Sequence, residues 1–412
     1  MKRLLCIICA VILLNILCVP CFADQSNIVG TQEDNVGFID VKSSLAASSK
    51  NTLPFEIDAV SAILIEASSG KVLLEKNADE KLYPASITKI MTMLLVAEAI
   101  DCAKITLEDK VTANANACSK GGSQIWLEEG ETMTVHELFK AVAVGSANDA
   151  ATALGEYVSG SETSFVSAMN ERAKQLGMTN THFDNPTGLD DTTDTHLTTA
   201  RDIAIMSREL LKHQFIEEYT TIWMDTLRNG ETELVNTNKL VRFYSGTTGL
   251  KTGTTSKAGH CVSASARRDG LNLIAVVLGS KDGTRRFEAA KSMLTWGFSN
   301  HTLLQPQINP ELITGVTVWY GEKNTIIPQV PEIAPILVLK GKEGEVTSEI
   351  NITGDVEAPV EKGQTLGTIK FIFEGKAIAE YNLVSPCDVR RLTFFNSVMR
   401  ILRFLATGAV ES

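Results

Sequence analysis

The sequence predicts an α+β protein: a larger domain that combines an antiparallel sheet with helices, then a small all-β domain, then an amphipathic C-terminal helix. Three observations carry this. Strand-like runs begin the stretch 55–300 and return after a middle that reads as helix. After His301 the texture changes to short Val, Ile, Thr and Phe runs broken by Gly, Pro and Lys. Residues 387–412 place apolar and basic positions at helical spacing. With 44% hydrophobic and 21% charged residues, the 412-residue chain has enough apolar material for more than one core. At roughly 100–200 residues per domain, that length suggests two or three domains. A formal charge of −11 argues against nucleic acid as a partner, because phosphate binding calls for a basic surface.

The chain opens Met1-Lys2-Arg3, followed by an apolar run that continues to Phe22-Ala23, the layout of a secretory signal peptide. Cys21 and Ala23 are small enough for a cleavage site, so residues 1–23 are expected to leave and the protein to be exported. An uncleaved anchor is the alternative, since the run is nearly long enough to span a bilayer. Cys102, Cys118, Cys261 and Cys387 then remain, without metal-type C-x-x-C spacing. Residues 24–54, rich in Ser, Asn, Gln and Asp without periodicity, read as a flexible leader.

Order is expected from Phe55. Two apolar runs between Ile57 and Leu74 flank the turn Ser68-Ser69-Gly70-Lys71, which predicts a β-hairpin. After Pro84 the run Ser86–Ile100 is a strong helix former, apolar nearly all round, and so belongs in a core. Thr134-Val-His-Glu137 is a capping box, and helical patterning recurs at Ala147–Tyr157 and Thr199–Lys212. Strands return at Phe243–Thr255, His260–Arg267 and Leu271–Gly279, the last two joined by the hairpin signal Asp269-Gly270. Phe287–Phe298 closes this domain as a helix. Residues 301–386 read as a small β-sandwich.

Ser86 and Lys89 lie three apart at a helix start, so they share one face. A serine hydroxyl needs a base to become a nucleophile. Lysine can be that base only if burial or a second cation lowers its pKa. Ser68 and Lys71 repeat the spacing in an exposed turn, where nothing is expected to desolvate the lysine, and read as structural. Ser146-Ala-Asn148 falls at a break between helices, and Lys251-Thr252-Gly253 lies in a strand flanked by glycines. The six histidines form no H-E-x-x-H and no close pair, so neither a metal nor a cofactor is implied.

Together and in this order, the three motifs match the set that marks penicillin-binding proteins and class A β-lactamases. Phe183-Asp-Asn-Pro-Thr-Gly-Leu189, His196-Leu-Thr-Thr-Ala-Arg-Asp202 and Thr248–Thr255 extend the likeness. The sequence resembles the serine D-alanyl-D-alanine carboxypeptidases, low-molecular-mass penicillin-binding proteins of the peptidase S11 family. The resemblance implies a β-lactamase/transpeptidase-like fold for 55–300. It also implies a hydrolase that removes the terminal D-alanine from peptidoglycan stem peptides ending in D-Ala-D-Ala, with β-lactams as covalent inhibitors. By the same resemblance Ser86 is the nucleophile, Lys89 its base, and Ser146 relays a proton to the leaving amine. Asn148 positions the substrate amide. Lys251 binds the terminal carboxylate and depresses the pKa of Lys89, Thr252 adds a hydroxyl, and Gly253 lets the peptide approach. The oxyanion hole is the N–H of Ser86 with that of Thr254.

Ala147 departs from the pattern, standing where many relatives carry an acidic residue. No Glu-x-x-Leu-Asn segment of the kind a class A β-lactamase uses for deacylation is present. A β-lactam-binding sensor is a further alternative; it should carry a second membrane span, and the sequence has none. A transpeptidase forms the same acyl-enzyme and is not separated at this point.

On a helical wheel Phe394, Phe395, Val398, Ile401, Leu402 and Leu405 share one face, opposite Asn396, Arg400 and Arg403. Arg390 and Arg391 precede it, so residues 387–412 are expected to dock on a membrane surface. Packing of that helix on the β domain is the alternative. Loss of Lys2 and Arg3 takes the charge to −13, and the tail itself is net positive. The expectation is an acidic enzyme at the outer face of the cytoplasmic membrane, held by one basic, apolar foot.

Overall fold

Alternating side chains in the strands decide the layers of the larger body. The computed structural model describes residues 53–407. The expected signal peptide, nearly all of the leader and the last five residues of the tail lie outside the described residues. β1 (Ser61–Glu66) and β2 (Val72–Lys76) form the expected hairpin. In the middle of the chain come α1 (Lys89–Asp101) and the small ladder of β3 (Lys110–Thr112) with β4 (Thr132–Thr134). They are followed by α2 (Val135–Lys140), α3 (Asn148–Ser159), α4 (Glu162–Gln175), α5 (Ala200–Leu210) and the hairpin β5 (Met224–Leu227) with β6 (Thr232–Val235). β7 (Thr247–Thr255), β8 (Gly259–Arg268) and β9 (Leu271–Ser280) then complete an antiparallel sheet in the order β2-β1-β9-β8-β7, and α6 (Arg285–Asn300) follows.

Ile63, Ile65, Ile274, Val276 and Leu278 face one core with α1, α3, α4 and α5. The neighbouring Ala62, Leu64, Leu273, Ala275 and Val277 face a second core with Phe287, Ala290, Met293 and Leu294 of α6. The period of two along each strand therefore sandwiches the sheet between helical layers. β7 is an edge strand. The capping box at Thr134 and Glu137 is formed in full, and Asp269 and Gly270 both take the positive φ of a tight hairpin turn. Phe243, expected in a strand, ends a short helical turn instead, and the strand starts after Gly246 at φ +83°. β10 (His301–Leu304) pairs with β13 (Ile336–Leu339), and both group with the larger body because Leu303 and Leu337 pack on its second core.

The smaller body holds two three-stranded sheets. One is β11 (Val316–Trp319) between β12 (Thr325–Ile326) and β15 (Val356–Glu357); the other is β16 (Thr365–Phe373) between β14 (Thr347–Ile352) and β17 (Lys376–Val384). Val316, Val318, Ile326, Val360, Leu366 and Val389 form its core. α7 (Phe394–Thr407) follows and leaves Phe394, Phe395, Ile401, Leu402 and Leu405 exposed. No helix among the described residues is long and apolar enough to cross a membrane. The four described cysteines are unpaired.

Candidate active site

Pro84 leads into a single 3-10 turn, Ala85–Thr88, that runs directly into α1. Ala85 is held at φ +48°, and Ser86 is half-buried between buried Ala85 and Ile87. Lys89 is fully buried, and its Nζ lies 3.0 Å from Ser86 Oγ. Two further oxygens complete its surroundings: Asn148 Oδ1 at 2.6 Å and the Thr187 carbonyl at 2.7 Å. A neutral amine has two hydrogens and one lone pair. Donating the hydrogens to Asn148 and Thr187 leaves the lone pair facing the Ser86 hydroxyl, which is the geometry of a general base.

The electrostatics favour that state. Burial holds Lys89 well below the ordinary lysine range, the charge on Lys251 adds to this, and Asp149 opposes it. Lys251, in β7, is also fully buried and is lowered to about 7, by burial first and then by the Arg286 guanidinium.

Two loops that the sequence reading left without a task build the walls. In the first, Asn185 Oδ1 accepts from Thr187 N, Thr187 Oγ1 and Gly188 N, at 3.1, 2.9 and 2.7 Å. This Asx turn aims the Thr187 carbonyl at Lys89. Thr92 Oγ1 holds the Pro186 carbonyl at 2.7 Å. Gly188, at φ +85°, lies so close to the nucleophile turn that a Cβ there would fall 1.8 Å from the Ala85 carbonyl oxygen. In the second loop, buried Asp149 accepts from the backbone N–H groups of Ile125, Leu127 and Ala150. Asn148 donates from Nδ2 to Gly121 O and from its backbone to Ser123 O. An Asn-Pro-Thr-Gly turn and the acid after Asn148 were visible in the sequence, but their roles depend on tertiary placement.

The structure brings Ser86, Lys89 and Asn148 into direct contact, with both amide atoms of Asn148 engaged by the protein. Ser146 is the left-handed residue that ends the helical turn Ala141–Gly145, buried and two residues before Asn148, where α3 begins. The three partners of Lys89 do not include it. Thr252 Oγ1 donates to Thr237 Oγ1 at 2.7 Å, a hydroxyl the sequence reading did not find. Thr254 Oγ1 donates to Gly253 O, and Arg286 Nη1 donates to both Gly253 O and Thr254 Oγ1. Gly253 also has a packing task that the sequence did not reveal. A Cβ there would lie 2.6 Å from Pro84 O and 3.1 Å from Ser86 N, so glycine lets β7 press against the nucleophile turn. At the decoy pair, Ser68 Oγ donates to the Glu66 carboxylate. Lys71 is exposed, although its surroundings still lower its pKa against the pull of Glu66, a desolvation not expected for that turn.

Comparison with known proteins places this geometry. Residues 45–282 match the family model described as D-alanyl-D-alanine carboxypeptidase, peptidase S11, and residues 303–391 match the C-terminal domain of penicillin-binding protein 5. The chain is 42% identical over 357 residues to D-alanyl-D-alanine carboxypeptidase DacF of Bacillus subtilis, covering 86% of this chain and 91% of that one. Penicillin-binding protein 5 of Haemophilus influenzae superposes with a TM-score of 0.74 at 32% identity, covering 82% of this chain and 99% of the other. Penicillin-binding protein D2 of Listeria monocytogenes, in its cefotaxime-bound form, superposes with a TM-score of 0.56 at 32% identity over 60% of this chain and 99% of the other.

Proposed function

The chain belongs to the peptidase S11 family of D-alanyl-D-alanine carboxypeptidases, the penicillin-binding proteins of the 5 type, and from that premise we propose the residues that carry its reaction. It is a serine-type hydrolase that cuts D-Ala-D-Ala. Ser86 Oγ attacks the carbonyl carbon of the penultimate D-alanine, and its proton passes to the lone pair of neutral Lys89. The oxyanion is met by the N–H groups of Ser86 and Thr254. Ser146 relays the proton to the nitrogen of the terminal D-alanine as the C–N bond breaks. Water then cleaves the ester and restores Ser86.

The extended peptide lies along the edge of β7, with its carboxylate at Thr252 and the charge supplied by buried Lys251. The single observation that carries this reading is the placement of Lys89 Nζ, fully buried and within hydrogen-bond distance of Ser86 Oγ, Asn148 Oδ1 and Thr187 O. β-Lactams acylate the same serine. That part of the reading is supported by the cefotaxime-bound relative.

The protein is exported after cleavage at Ala23, with a catalytic domain over 55–300, a β domain over 301–386 and a foot over 387–412. The exposed apolar residues of α7 support docking at the outer face of the cytoplasmic membrane. The test is release of free D-alanine from a pentapeptide ending in D-Ala-D-Ala. The parent protein releases it and Ser86→Ala does not; a parent that releases none contradicts the proposal.

A further inference from the structure

The run His196–Asp202 has no task in the scheme above, yet it is packed against the lead-in to the nucleophile. Thr198 exchanges backbone hydrogen bonds with Leu82 at 2.8 and 2.9 Å, two residues before Pro84. Leu197 O accepts from His182 N, and Arg201 N donates to Ala78 O. His196 itself is 1% exposed. Its Nδ1 faces the backbone N–H of Asp184 at 3.0 Å, so that nitrogen must be the acceptor and carries no proton. The ring hydrogen is therefore on Nε2, which donates to Thr88 Oγ1 at 2.8 Å. Phe183 packs edge-on against the ring. Burial lowers the imidazole to about 4 against the pull of Asp184, with His182 and Lys89 adding to the lowering, so it is neutral at pH 7.

The two ends of this bridge matter for Lys89. Thr88 lies between Ser86 and Lys89 on the nucleophile turn. Asp184 begins the segment whose Thr187 carbonyl holds Lys89 Nζ. One neutral ring thus spans the two walls that fix the amine. We infer that His196 is a positioning residue for the proton transfer from Ser86 to Lys89, setting the spacing between the nucleophile turn and the Thr187 carbonyl. The inference rests on the reading of Ser86 as nucleophile. A charged imidazolium fails in this place, because both ring nitrogens then carry hydrogen and one meets the Asp184 N–H.

The test uses the purified protein, its rate of acylation by a fluorescent penicillin, its kcat and KM on the D-Ala-D-Ala peptide, and its melting temperature. His196→Asn can keep an acceptor for Asp184 but cannot donate to Thr88; Thr88→Val removes the acceptor without changing shape. Each is expected to slow acylation by about tenfold to a hundredfold and to lower kcat with little change in KM, the size of effect a misplacement near 1 Å produces. The double variant should be no slower than the slower single one. His196→Gln, which can place an N–H near Nε2, should recover most of the rate. Folded variants that acylate at the parent rate, or effects that multiply in the double variant, overturn the inference; if His196→Asn does not fold, Thr88→Val decides alone. A parent that takes no penicillin at all overturns the reading of Ser86 and this inference with it, whereas a labelled parent with unaffected variants overturns the inference only.

Discussion

Replacing Gly188 by alanine should disable the site from a residue that has no side chain of its own. The new Cβ would lie 1.8 Å from Ala85 O and 2.8 Å from Thr88 Oγ1. A carbon and a non-bonded oxygen rest no closer than about 3.3 Å, so the loop and the nucleophile turn must part by about 1.5 Å. Alanine at φ +85° adds about 1 kcal/mol of backbone strain. Displacing Thr187 O from buried Lys89 leaves a polar hydrogen unsatisfied, at about 1–3 kcal/mol. The sum, about 2–4 kcal/mol, corresponds to a drop in melting temperature of roughly 5–15 °C for a body of this size. Because a 1 Å misplacement costs on the order of a hundredfold in rate, acylation by penicillin should fall by about that factor even below the new melting point. Differential scanning calorimetry and stopped-flow acylation read the two effects. A Gly188→Ala protein that melts within a degree of the parent and acylates within twofold of it refutes the reasoning that the Gly188 contact holds Thr187 against Lys89.

Other outcomes follow from the same geometry. Lys89 is neutral above its lowered pKa, so kcat/KM should fall as the pH drops through that value. As Lys251 loses its proton above about pH 7, KM for the peptide should rise while kcat holds. A KM flat to pH 10 contradicts the lowered pKa of Lys251 or its role at the substrate carboxylate. Removal of α7 from Phe394 onward, which leaves core residue Val389 in place, should abolish sedimentation with anionic lipid vesicles without changing D-alanine release; a truncated protein that still sediments places the foot elsewhere.

The helices and strands were legible where one periodicity held over many residues, as in α1, in the capping box that opens α2, and in β8 and β9 with their Asp269-Gly270 turn. The chemical groups of the site were legible because side-chain function demands particular residue types: Ser86, Lys89 and Asn148 meet within 3.0 Å although 59 residues separate the last two. What was not legible depends on the backbone or on packing. Thr187 acts through a carbonyl that every residue possesses. Gly188 and Gly253 act through the absence of a Cβ opposite Ala85 and Pro84, a clash that exists only once the segments are brought together. Thr237 and His196 contribute ordinary hydrogen bonds whose partners are far away in sequence. Asn148 was expected to position the substrate amide; its contact with the base, through Oδ1 to Lys89, was not foreseen.

The central claim is that Ser86 is the nucleophile and Lys89 its neutral base. Its most direct measurement is the mass and position of the covalent adduct formed with benzylpenicillin, mapped by peptide mass spectrometry on the parent, Ser86→Ala and Lys89→Met. The account predicts a single adduct on the peptide containing Ser86, none in Ser86→Ala, and a greatly slowed one in Lys89→Met. An adduct at Ser146 or Ser68, or one that forms at the parent rate without Lys89, contradicts it.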